Sequence, residues 1–193
     1  VYIDTGAMYR AVGLFCLDRA IALEDEARVS EAVRDIDITI AYDEEGVQQV
    51  FLNGANVSTR IRTQQVGDAA STVSQYPAVR EKMVKLQQSL AEHTSVVMDG
   101  RDIASKVLPN ADTKIYLTAS VEERARRRAN ELREKGEACD IAEVEAEIRA
   151  RDDRDMHRQH SPLIQVPEAV LVDSSTLTID ETIDRILEIC MQH

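Results

Sequence analysis

The chain has 193 residues, 44% hydrophobic and 30% charged, with a formal net charge of −12. That length suits one sizeable core, or a core with a small insert, and no apolar run approaches a membrane span; no signal peptide is expected. The acidic balance argues against a binder of nucleic-acid polymers, and the odd, scattered Cys16, Cys139 and Cys190 argue against a disulfide framework or zinc site, so a cytoplasmic protein is expected.

Val1 to Asp4 reads as a short strand. Thr5 then opens an apolar-periodic helix through Leu17, which Thr5 could cap, and a helix N-terminus favours anions. Arg10, five residues on, could reach the same anion. Helix continues over Arg28 to Asp35, after which the period changes. Asp37 to Asp43 and Val47 to Leu52 alternate, Asn53-Gly54 is a strong hairpin turn, and Ala55 to Ser58 suggests a third short strand. Ile61 to Leu90 is mostly helical: its first part carries Ser71, and Pro77 and Arg80 open its second part. Val79, Met83, Leu86 and Leu90 form a core stripe at helical spacing.

The stretch Ser95 to Asp102, S-V-V-M-D-G-R-D, is the one around which the chain is organised. Its unalternating Val96, Val97 and Met98 predict a strand buried on both faces. Ligands of open α/β sheets sit beyond the carboxyl ends of such strands. There Gly100 permits close approach, Arg101 offers a planar fork for phosphate, and Asp102 offers two acceptors for a base or hydroxyl. A strand followed by an ordinary polar turn is the plainer alternative.

Lys114 to Thr118 predicts another buried strand. Two charged helices come next, Val121 to Lys135 and Ile141 to Arg158, broken at Gly136 to Asp140. The first carries Arg124, Arg126, Arg127 and Arg128. On the second, Arg151, Asp155 and Arg158 share one face, where Asp155 could hold its arginine neighbours while they grip phosphate. The alternative is a solvated face laced with ion pairs. His157 and His160 have metal-like spacing but no third ligand, so no metal site is expected. Ala169 to Asp173 predicts a last strand, and Asp180 to Met191 a closing helix with Ile183, Ile186, Leu187 and Cys190 inward. Strands alternating with helices predict an α/β fold: a parallel sheet with helices on both faces.

Taken in order, Y-I-D-T-G-A-M-Y-R, I-R-T-Q-Q-V, A-A-S-T-V-S-Q-Y-P-A-V-R, D-G-R-D-I-A-S-K-V-L-P-N-A and E-I-R-A-R-D-D-R-D resemble the bacterial cytidylate kinases, a family of P-loop nucleoside monophosphate kinases. The resemblance implies transfer of the γ-phosphoryl group of ATP to CMP or dCMP, with Mg²⁺, by a monomeric enzyme. It implies that Ser71, Arg80 and Asp102 recognise cytosine, and that Thr5, Arg10, Arg101 and Arg158 grip the CMP phosphate. Arg151 and Asp155 resemble positions near the sugar and reacting phosphates, with Arg101, Arg151 and Arg158 as the catalytic set. Arg124 and Arg127 stand where related kinases place arginines against ATP. One kinase domain is expected: core 1–36, 59–125 and 155–193, a monophosphate-binding β insert at about 37–58, and a helical lid at about 126–154.

The family also uses a first strand and a Walker A loop, G-x-x-x-x-G-K-S/T, and these 193 residues contain no such motif. The expectation is a chain that lacks this N-terminal segment and is inactive by itself, because the loop cradles the donor phosphates. The rival reading is a non-catalytic nucleotide-binding module without a P-loop. Within the kinases, Ser71, Arg80 and Asp102 together favour cytosine over uracil or adenine.

Overall fold

The computed structural model describes residues 1–192. It divides into two compact units, Val1–Val107 with Gln159–Ser161, and Leu108–Arg158 with the segment from Pro162 onward.

In the first unit, β1 (Tyr2–Asp4) runs into α1 (Thr5–Asp18). The N-cap of α1 is Asp4, whose carboxylate accepts from the Ala7 amide; Thr5, expected as the cap, is already helical. α1 is apolar nearly all round and is therefore a central helix, with Ala7, Met8, Ala11, Val12 and Cys16 all buried. It packs on α3 (Gln64–Val73) through small residues. A Cβ added at Gly13 would lie 2.8 Å from the Ala70 amide nitrogen. Gly13→Ala is therefore expected to force α1 and α3 apart and lose about 1–3 kcal/mol, read as a lower urea midpoint. α2 (Glu26–Arg34) and α4 (Pro77–Ala91) complete this core, α4 burying Val79 and Met83 as its stripe predicts. At the end of α2, the Lys82 ammonium caps the carbonyls of Val33, Arg34 and Ile36.

β2 (Ile38–Tyr42), β3 (Gln48–Leu52) and β4 (Ala55–Asn56) form an antiparallel sheet in that order. Asn53 and Gly54 take φ of 50° and 79° at the β3–β4 turn, the positive pair that such hairpins need. This small sheet is fixed along β1 by two side chains. The Gln48 amide accepts from the Asp4 N–H at 2.8 Å and donates to the Asp4 carbonyl at 3.2 Å. The Tyr42 hydroxyl donates to the Tyr2 carbonyl at 2.8 Å. These side chains occupy strand-edge groups that would otherwise need water or another strand. Gln48→Ala is expected to lose about 1–2 kcal/mol by thermal or denaturant unfolding; an unchanged midpoint would show the edge is equally well served by water.

β1 pairs in parallel with β5 (Val97–Asp99), with Tyr2 opposite Val97 and Asp4 opposite Asp99. The expectation that β5 is buried on both faces fails. Val97 is 68% and Tyr2 54% exposed, whereas Ile3 is 2% exposed. Among the described residues the pair is covered on one face only, where Ile3 is buried.

In the second unit β6 (Ile115–Thr118) pairs in parallel with β7 (Val170–Asp173). Here too the expected full burial is absent, since Leu117 and Leu171 are exposed. The parallel strands thus form two pairs, one in each unit, where one parallel sheet was expected. α5 (Val121–Glu134) and α6 (Ile141–His157) form a helical hairpin, closing on buried Ala125, Ala129 and Val144. α7 (Ile179–Cys190) starts with a capping box between Thr178 and Glu181. Its inward face differs from the expected one: Ile189 is buried and Ile186 partly so, while Ile183, Leu187 and Cys190 are exposed. The helix turns the line Thr182, Ile186, Ile189 inward, an i, i+4, i+7 set one position away from the apolar stripe.

Candidate functional site

β1 and β5 end side by side, and the chain then turns through Gly100. A Cβ on Gly100 would lie 2.5 Å from the Thr5 hydroxyl oxygen and 2.9 Å from Ile103 Cδ1. Glycine is needed here for close approach. The Thr5 hydroxyl is buried and donates to the Asp99 carbonyl at 2.6 Å, tying the start of α1 to the end of β5.

Asp102 comes next, at the head of a π-helical turn, Ile103–Val107. Its carbonyl accepts from the amides of Lys106 at 2.9 Å and Val107 at 3.3 Å. Single π turns recur at functional sites because they re-aim a side chain. The Asp102 side chain is 4% exposed and pairs through Oδ2 with Nη2 of Arg80, itself 5% exposed and delivered by the first turn of α4. Arg80 Nη1 donates to the Ser74 carbonyl at 3.0 Å, and its guanidinium carbon lies 5.3 Å from the centroid of the Tyr9 ring. Among the described residues, nothing accepts from the buried Arg80 Nε–H. A buried ion pair with a donor left over adds little stability by itself, so its chemistry is the better account of it.

Ser71 is half-buried on α3, and its carbonyl accepts from the Ser74 hydroxyl at 3.1 Å. Arg10 Nη1 donates to the carbonyls of Ile61 at 2.9 Å and Thr63 at 3.2 Å, laying its guanidinium across the start of α3, close to Gly67. Arg101 is exposed. At the strand ends, Asp4 pairs with Arg62 at 2.9 Å, and the Tyr2 hydroxyl donates to Asp99 at 2.9 Å. Desolvation pushes the Asp99 carboxyl above the usual range, against the Tyr2 hydrogen bond, and nearby Asp4 adds to the rise. Desolvation and Asp99 push the Tyr2 phenol up to about 12. A raised carboxyl favours the folded state below its unfolded value near 3.8, and that advantage is lost as pH rises through the higher folded value. Asp99→Asn is expected to stabilise the protein at neutral pH and to flatten its acid-side stability profile; a destabilised variant would refute the desolvation argument.

In the second unit Asp155 is 6% exposed. Its Oδ1 lies 3.5 Å from Arg158 Nη1 and its Oδ2 4.0 Å from Arg151 Nε, so one carboxylate stands between two arginines. The structure gives Arg124 and Arg127 protein partners. Arg124 makes a two-pronged pair with Asp152 at 2.9 and 2.6 Å, joining α5 to α6. Arg127 donates to Glu123 at 2.7 Å and to the Ser174 carbonyl at 2.6 Å. Hydrogen bonds from Arg126 and then Arg127 hold the Glu123 carboxyl down at about 2. These contacts are in place above the ordinary glutamate value of 4.5 and fade as pH falls toward 2. His157 faces Asp153 on its own helix.

Residues 1–192 match the family model described as cytidylate kinase. The chain belongs to the cytidylate kinase family. It is 46% identical to the cytidylate kinase of Bacillus licheniformis, over 98% of this chain and 84% of that one. It is 49% identical to that of Caldanaerobacter subterraneus subsp. tengcongensis, over 97% of this chain and 81% of the relative. The cytidylate kinase of Symbiobacterium thermophilum is 42% identical, over 98% and 84%. Membership makes this a nucleotide-binding transferase of the kinase type, in pyrimidine metabolism. No helix among the described residues is long and apolar enough to cross a membrane, and no three described His, Cys, Asp or Glu side chains gather as a metal site.

Within this cytidylate kinase chain the first unit brings Arg80 and Asp102 into direct contact, and sets Thr5 against the Gly100 turn that precedes Asp102. The second unit brings Arg151, Asp155 and Arg158 together. Sequence reasoning missed Tyr9 beneath Arg80, and the raised carboxyl of Asp99. Tyr9 looks like one more apolar position of a buried helix, and only the packing of α1 shows which arginine it meets. Asp99 was visible as the acid ending a strand, but its desolvation was not.

Proposed function

We propose that the protein transfers the γ-phosphoryl group of ATP to CMP or dCMP, giving CDP or dCDP and ADP. The observation that carries this reading is the buried Arg80–Asp102 pair. Asp102 Oδ2 is engaged by Arg80, and Oδ1 is left to accept from the exocyclic amine of cytosine. The remaining Arg80 donors and the Ser71 hydroxyl suit the acceptors on the same edge of the base, N3 and O2. Uracil carries a carbonyl in place of the amine and would face the carboxylate unfavourably.

Family resemblance supports the rest. Thr5, Arg10, Arg101 and Arg158 hold the acceptor phosphate, one of whose oxygens attacks the γ-phosphorus while the bond to the β-phosphate oxygen of ADP breaks. Arg151 and Asp155 serve the sugar and reacting phosphates, with Asp155 orienting Arg151 and Arg158. Arg101, Arg151 and Arg158 neutralise developing charge, because catalysis of this transfer is mostly positioning and electrostatics. Arg124 and Arg127 are the ATP-side arginines, and they must exchange at least one present partner to reach a phosphate. Mg²⁺ enters with ATP as part of the donor substrate. The segments at about 37–58 and about 126–154 act as acceptor-binding insert and lid of one kinase domain, in a cytoplasmic monomer.

The second reading, a nucleotide-binding module without turnover, keeps the same Arg80–Asp102 base site and differs in whether a phosphoryl group moves. Both readings expect residues Val1 to His193 to bind CMP, and turnover separates them. The test measures ATP-dependent CDP formation with CMP, dCMP, UMP and AMP, using the chain alone and a version extended at Val1 by a strand and a G-x-x-x-x-G-K-S/T loop. Turnover of cytidine nucleotides by the extended version supports the kinase reading. Equal turnover of UMP, or of AMP, overturns the base assignment.

A further inference from the structure

Resting on the proposed base site, we infer that Tyr9 is a positioning residue that sets the guanidinium of Arg80 for reading the base. Asp102 and the Ser74 carbonyl hold the two terminal nitrogens of Arg80. Those contacts fix one edge of a planar group and leave it free to tilt about that edge. The Tyr9 ring, 5.3 Å from the guanidinium carbon, closes off that motion from one face. A ring face also attracts the cation, and does so more strongly in a dry setting. Both partners are dry: Tyr9 is 9% and Arg80 5% exposed.

The ring is held rigidly enough for this work. Tyr9 stands four residues after Thr5 on α1, so both lie on one face of the helix. Thr5 is bonded to the Asp99 carbonyl and abuts Gly100, while Tyr9 faces Arg80. α1 itself is wedged against α3 at Gly13. One helix face thus sets both the turn leading to Asp102 and the arginine that Asp102 binds. A core tyrosine with no such role would be replaceable by any apolar side chain of similar bulk.

The test is calorimetric titration of the chain with CMP and with UMP, for wild type, Tyr9→Phe and Tyr9→Leu, with thermal unfolding of each. Tyr9→Phe keeps the ring and is expected to stay within about 3-fold of wild type for both nucleotides. Tyr9→Leu is expected to weaken CMP roughly 3–30-fold and to shrink the CMP-over-UMP preference, since the ring–cation contact is lost. Lower unfolding temperature with an unchanged CMP-to-UMP ratio would show a packing role only and overturn the inference. If Tyr9→Leu does not fold, the wild type still decides through the side-chain resonances of Arg80, assigned by their loss in Arg80→Lys. Displacement by a ring current supports the contact, and ordinary exposed-arginine positions overturn it. A wild-type chain that does not prefer CMP overturns the base site itself, and this inference with it; a wild-type preference that survives in Tyr9→Leu overturns only the role of Tyr9.

Discussion

Replacing Asp102 by alanine is expected to be the most damaging single change in the first unit. Arg80 is 5% exposed and would keep its charge with its carboxylate partner gone. Breaking a buried pair from one side typically loses about 3–5 kcal/mol, far more than the intact pair contributes. Binding should fall as well. A hydrogen bond to a charged group is worth about 1.5–3 kcal/mol, so CMP affinity should drop about tenfold or more, and UMP affinity much less. Denaturant unfolding and calorimetry of Asp102→Ala read the two effects separately. Stability and base preference both near wild type would mean that the pair is neither dry nor in contact with the base.

The second large effect is expected at Arg158. Its side chain is 4% exposed and held 3.5 Å from Asp155, so its fork is oriented before any ligand arrives. Arg158→Lys keeps the charge but loses the planar, two-pronged geometry that suits phosphate oxygens. CMP affinity should fall about tenfold while that of cytidine, which lacks the phosphate, stays unchanged, because the lost contact is worth about 1.5–3 kcal/mol. In the kinase assay kcat should fall as well, since geometry rather than covalent chemistry carries phosphoryl transfer. Equal losses for CMP and cytidine would assign Arg158 to folding; no loss for either would leave it a helix-end arginine.

Much of this was legible in the sequence. The change from helical to alternating period at Asp37, with Asn53-Gly54, marked the antiparallel sheet, because a positive-φ turn and a period of two are local signals. D-G-R-D marked the strand end that carries Asp102. Spacing pointed to Arg151, Asp155 and Arg158 as one cluster, and they do meet, although α6 ends at His157 and Arg158 is its C-cap with extended backbone, so only Arg151 and Asp155 share the helix face itself. Burial was less legible. Val97 and Leu117 are apolar yet exposed, since an apolar residue does not state which neighbour covers it. On α7 the apolar stripe and the buried line differ by one position, which only the contact with β7 decides. The cap at Asp4, one residue before Thr5, escaped for a similar reason: both residue types cap helices, and one bond to Ala7 distinguishes them. The engagement of Arg124 with Asp152 crosses from one helix to another and leaves no trace in local spacing.

The central claim is that this member of the cytidylate kinase family reads cytosine through Asp102 and Arg80. Titration of residues Val1 to His193 with CMP and UMP in parallel, read by calorimetry, tests it most directly. The account predicts one-site binding of CMP, about tenfold or more tighter than UMP, as expected when a charged acceptor meets an amine in one base and a carbonyl in the other. A folded chain that binds the two nucleotides equally, or binds neither, would contradict it.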